Sequence, residues 1–124
     1  GSVDEEPHEQ GIAHVVEHVA YMGNARRDDL LRKTAAQTNA YTDFNHTVFF
    51  ANCSTNEALR HPNYFEMMLS ALHTVLTGPL SPSRLEKERR AVLSELAMVN
   101  TIDYRREVRI LTALHDSTML HARY

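Results

Sequence analysis

Between Ile12 and Met22 an apolar helical stripe is interrupted by three ionisable residues, and this conflict limits what the chain can fold into. Ile12, Val15, Val16, Val19 and Ala20 recur at three- and four-residue spacing, the pattern of one buried helix face. Gly23 suits the position just past the helix end. His14, Glu17 and His18 stand among the apolar residues. Buried histidines need partners. A chain that buries this helix must therefore bring other polar groups, or a metal, against it.

Residues four apart on a helix share a face, so His14 and His18 can turn both imidazoles toward one ion. Two neutral imidazoles suit zinc. Glu17 follows His14 by three residues and lies on nearly the same face, beside the ion without having to bind it. A general base that takes a proton from an activated water must sit there. The order His-x-x-Glu-His is the reverse of the zinc-protease order His-Glu-x-x-His. A third protein ligand would leave one position open for water. Glu86, Glu88 and Glu95 are the candidates, on a second helix. Glu88 and Glu95 are two helical turns apart and face the same way, but spacing does not choose among the three.

The rest of the chain supplies helices and one strand pair. Asp28 and Asp29 are expected to open a short helix running to about Gln37. Residues 39–53 are rich in β-branched and aromatic side chains, with turn residues from Asp43 to His46, and predict an antiparallel strand–turn–strand unit. Residues 52–56 read as loop. His61-Pro62 is expected to start a helix. Its apolar stripe would be Tyr64, Phe65, Met68, Leu69, Leu72, Val75 and Leu76, and Gly78-Pro79 would stop it. A long helix is expected from Ser83 to at least Met98, opened by a Ser83–Glu86 capping box. Another should run from about Tyr104 to His115. Helices and a strand pair segregated along the chain give an α+β class, a partial antiparallel sheet packed against several helices.

A length of 124 residues suits one domain. Cys53 is the only cysteine. It excludes an intramolecular disulfide and reads as a small buried apolar residue. The formal charge of −3 argues against a nucleic-acid partner and is compatible with a basic peptide. No apolar run reaches membrane-spanning length, and no signal peptide is visible at the start. No membrane partner is therefore expected. His8, His61, His73, His115 and His121 are scattered and read as surface residues.

The stretch Gly11-Ile12-Ala13-His14-Val15-Val16-Glu17-His18 resembles the signature of the pitrilysin family of zinc endopeptidases, which includes insulinase and mitochondrial processing peptidase. In that family a glutamate ligand follows the second histidine after 76 residues. Here 76 residues separate His18 from Glu95, and Glu88 occupies the place of the family's supporting glutamate seven residues earlier. Gly1-Ser2-Val3-Asp4-Glu5 is similar to a Gly-Ser-x-x-Glu segment, and Asn39-Ala40-Tyr41-Thr42 to an Asn-Ala-x-Thr edge strand. The resemblance implies that Zn2+ is held by His14, His18 and Glu95. It implies Glu17 as general base and Glu88 as a catalytic-site support. It implies that an extended polypeptide is added along Asn39, Ala40, Tyr41 and Thr42 by backbone hydrogen bonds.

Within the family the likeness is greatest to plastid members. It is carried by residues 9–14 and 39–44, by Lys87-Glu88-Arg89-Arg90-Ala91-Val92-Leu93-Ser94-Glu95-Leu96 and by residues 98–105. It implies removal of basic transit peptides from precursors imported into the plastid stroma. The rival readings are a mitochondrial-matrix or general peptide-degrading relative, and a non-catalytic metal-binding or structural subunit. Residues 1–124 would form a single partial domain, without the family's upstream strands and its second, closing half.

Overall fold

A computed structural model describes residues 1–34, 36–53 and 64–115. A 3-10 turn at Ser2–Asp4 is followed by helices α1 (Ile12–Tyr21) and α2 (Ala25–Thr34). Strands β1 (Gln37–Thr42) and β2 (Thr47–Asn52) come next, then helices α3 (Tyr64–Thr77), α4 (Pro82–Val99) and α5 (Ile102–His115). The α+β class is borne out. The expected helix start at His61-Pro62 and the loop residues 54–56 lie outside the described residues.

The two strands form an antiparallel sheet in which Gln37 faces Asn52, Ala40 faces Phe49 and Thr42 faces Thr47. The turn is closed by Asp43, whose Oδ1 accepts the N–H groups of Asn45 (2.8 Å) and His46 (2.9 Å), an Asx turn. The amino-terminal segment lies on this turn. Ser2 and Val3 donate their N–H groups to the carbonyls of Asp43 (3.1 Å) and Phe44 (2.7 Å). Gly1 packs so closely on the backbone of Asn45 and His46 that a Cβ has no room there.

α1 packs on α4 and β1, and α2 packs on α3. The expected apolar stripe is only partly buried along α1. Ile12 (50 % exposed) and Val16 (40 %) face outward, while His14, Glu17, His18 and Val19 are buried. The face against β1 and α4 meets Thr42, Glu88 and Glu95, and these polar partners make its burial tolerable. Apolar burial concentrates instead around Leu30, Ala36 and Ala71, with Cys53, Met67 and Met68 against them. In α3 the buried residues are Ala71 and Val75. Phe65, Leu69 and Leu76 of the expected stripe are exposed, because α2 and β2 cover only one side of this helix.

Several boundaries differ from expectation for local reasons. α2 starts at Ala25, because Asn24 Oδ1 caps the N–H groups of Arg26 and Arg27, both at 3.1 Å. It stops at Thr34, because pairing with Asn52 draws Gln37 into β1. α4 starts with Pro82 behind Ser81, and the Ser83–Glu86 box does not form. Ser83 Oγ shares a hydrogen bond with Ser81 Oγ at 2.9 Å, and Glu86 pairs with Arg89 and Arg90. α5 starts at Ile102, with Thr101 Oγ1 accepting the Tyr104 N–H at 3.2 Å.

Candidate metal centre

The site is built where α1 crosses α4 beside the end of β1. Both ends of the relevant part of α1 are tied down. Glu5 reaches forward, and its carboxylate accepts the N–H groups of Gly11 (2.8 Å) and Ala13 (2.6 Å). These donors are among the unpaired groups of the helix amino terminus, where a negative charge is favoured. Gly11 has φ 89°, a left-handed conformation that glycine adopts without strain. At the other end Arg84 Nη1 donates to the Val19 carbonyl at 3.3 Å.

His14 and His18 lie edge to face with ring centroids 4.7 Å apart. Glu95 lies across from both, its Oε2 3.4 Å from His14 Nε2 and its Oε1 3.5 Å from His18 Nε2. One ligand atom from each of the three residues falls within 4.8 Å of the others. Ligand atoms held at about 2.1 Å from a tetrahedral ion are about 3.4 Å apart, so a single small cation would draw this group slightly together. The Glu95 side chain is 36 % exposed while those of the histidines are at most 11 % exposed, so the group is open on the Glu95 side.

Glu88 is 4 % exposed, and its Oε2 lies 3.5 Å from Nδ1 of His18. Its other oxygen lies 3.6 Å from Nη2 of Arg84. Glu17 is 6 % exposed, and its Oε2 accepts a hydrogen bond from Thr42 Oγ1 at 2.7 Å. Thr42 Oγ1 is also 3.1 Å from Thr47 Oγ1. Burial pushes the Glu17 carboxyl above its ordinary range, against the Thr42 hydrogen bond and the neighbouring His18, which favour the charged form.

The structure thus brings His14, Glu17, His18, Glu88 and Glu95 together. It sends Glu86 elsewhere, to an exposed ion pair with Arg89 and Arg90. On β1, Thr42 points inward to Glu17, while Asn39 and Tyr41 are exposed. Asp43 donates its N–H to the His46 carbonyl at 2.9 Å. By the alternation of an antiparallel ladder, the backbone groups of Thr38, Ala40 and Thr42 then point away from β2. Consistent with this, the Ala40 N–H is taken up by the side-chain Oδ1 of Asn39 at 2.9 Å. Tyr41 OH lies 3.4 Å from His46 Nε2. The sequence reading missed the capping role of Glu5 and the place of Arg84. Arg84 had a signal, since it precedes Glu88 by four residues on α4.

The chain is 48 % identical over its whole length to a chloroplastic stromal processing peptidase of Arabidopsis thaliana and 47 % identical to that of Pisum sativum. It spans about 10 % of the length of each of these relatives. It is 28 % identical over 106 residues to the beta subunit of the human mitochondrial-processing peptidase, covering 82 % of this chain and 20 % of that one. No solved structure matches it significantly. The family model of insulinase, peptidase family M16, matches residues 1–123, and the chain therefore belongs to that family.

Proposed function

We propose that this chain carries the zinc-binding and proton-transfer groups of a metalloendopeptidase that removes transit peptides from precursors in the plastid stroma. The observation that supports it most is the set of His14, His18 and Glu95 donor atoms within 4.8 Å of one another, with the buried Glu17 carboxylate on the same turn of α1. The names of the plant relatives support the stromal assignment and the processing of precursors. On this reading the 124 residues are the metal-binding part of a longer peptidase.

His14, His18 and Glu95 would hold zinc, leaving the open side of the group for water and the scissile carbonyl. Bound there, zinc would supply a Lewis acid that makes water acidic near neutral pH. Glu17 takes a proton as water attacks and passes it to the leaving nitrogen. Its burial favours this exchange, because a carboxyl pushed above its ordinary range holds a proton more readily. Glu88 faces His18 Nδ1 from 3.5 Å and backs the ring placement that turns Nε2 toward Glu95. The edge of β1 turned away from β2, unpaired by any strand among the described residues, accepts an extended polypeptide through the backbone of Ala40 and Thr42, with the Asn39 side chain giving up the Ala40 N–H.

The test is Glu17→Gln in the full-length protein. Zinc content is expected to stay, while cleavage of a plastid precursor falls by at least about 100-fold. Retained cleavage would overturn the role of Glu17. Faster cleavage of a mitochondrial than of a plastid precursor by the unaltered enzyme would favour the mitochondrial-type reading.

A further inference from the structure

Glu88 is more buried than either histidine of the group. A buried carboxylate requires a compensating charge and hydrogen bonds. One of its oxygens lies 3.5 Å from His18 Nδ1, a buried nitrogen that no hydrogen bond satisfies, and the other faces Arg84 at 3.6 Å. The same guanidinium donates to Val19 O at 3.3 Å, a carbonyl of the last turn of α1. Helix ends leave such carbonyls unpaired, and cations are favoured beside them. Gly23 leaves the space. Its φ is 62°, and a Cβ built on it would lie 3.2 Å from Arg84 Cζ. Three features thus converge on one side chain: a buried acid, a helix end and a glycine slot.

We propose that Arg84 is a positioning residue of the metal centre. It clamps α4 to the end of α1 and holds Glu88 against Nδ1 of His18. Through Glu88 it sets the tilt of the His18 ring, so that Nε2 faces Glu95. A guanidinium can do both jobs at once because its donors form a rigid fork, whereas a lysine ammonium is a single point charge on a flexible stem. The proposal rests on the reading that His14, His18 and Glu95 hold zinc. It adds a residue outside the His-x-x-Glu-His motif that governs how well they do so.

The experiment measures zinc affinity of the full-length protein by competition with a chromophoric chelator, and records the Co2+ spectrum of each variant. Arg84→Met is expected to weaken zinc binding about 10- to 100-fold and to shift the Co2+ bands, with Arg84→Lys falling in between. In a Glu88→Gln background Arg84→Met is expected to add little, because its effect runs through Glu88. If R84M does not fold, R84K carries the same cycle, with a smaller loss that vanishes beside E88Q. Unchanged affinity in R84M, or an equal loss with and without Glu88, would overturn the proposal. A wild-type protein that takes up no zinc, or takes it up equally after His18→Ala, would instead overturn the metal reading on which it rests.

Discussion

Thr42 is buried on a strand whose neighbouring residues Asn39 and Tyr41 are exposed, and its hydroxyl has one short contact, 2.7 Å to Glu17. The hydroxyl donates to the carboxylate, so it favours the charged form and restricts where the other oxygen points. Thr47, directly across the ladder, gives the hydroxyl a second partner at 3.1 Å. Thr42→Val keeps the branched shape and removes the donor. It is expected to lower kcat about tenfold, equivalent to about 1.4 kcal/mol of barrier, while KM and zinc content stay near wild type. Thr42→Ser is expected to restore most of the rate. A loss that appears in KM instead would place Thr42 in substrate binding rather than beside the base. The sequence pattern Asn-Ala-x-Thr marks an edge strand and leaves this distinction open, because it carries no information on which side chain meets α1. Glu17, His14 and His18 were legible for the opposite reason: their spacing within one helix determines their common face.

The elements show where local chemistry and tertiary packing each decide. α1 was legible as a helix from its periodicity, yet of its apolar stripe Val19 is buried while Ile12 and Val16 are not. Ile12 and Val16 point outward and the ionisable residues point in, a choice made by Thr42, Glu88 and Glu95 on other elements. Periodicity within a segment cannot report partners elsewhere in the chain. The helix starts at Ala25 and Ile102 were missed for a smaller reason, since each depends on the cap of a single side chain, Asn24 or Thr101. Glu5 is the cap with the most at stake. It sits outside α1 in sequence and satisfies two of its first N–H groups, one residue ahead of His14. Glu5→Ala is expected to cost about 1–2 kcal/mol of stability, read as a shift in the urea midpoint at unchanged slope. Zinc affinity is expected to fall with it, since the first turn of α1 carries His14. Glu5→Gln, which keeps one acceptor, is expected to fall between.

Across the described residues the buried set is divided evenly in kind. Val19, Leu30, Ala36, Ala71, Val75 and Val92 form its apolar part, while Ser2, His14, Glu17, His18, Thr42 and Glu88 form its polar part. The apolar part is made of small side chains apart from Leu30, the most deeply buried at 1 % exposure. Leu30→Ala is therefore expected to destabilise by about 2–5 kcal/mol, at a point remote from the metal group and without changing zinc stoichiometry. The polar part has the converse character. Glu17, Glu88 and Glu95 gather around His14 and His18 in a partly buried space, with Thr42 donating to Glu17 and Arg84 beside Glu88. A bound divalent ion adds positive charge where three carboxylates meet, and it stabilises the folded state by mass action, about 2.7 kcal/mol when free metal is 100 times Kd. Chelation of the full-length protein is thus expected to lower the melting temperature of the unit containing these residues. Restoring zinc should reverse the shift, and His18→Ala should make the melting temperature insensitive to both treatments. A chelated protein that melts like the zinc-loaded one would show that the His–Glu group is held by its protein partners alone.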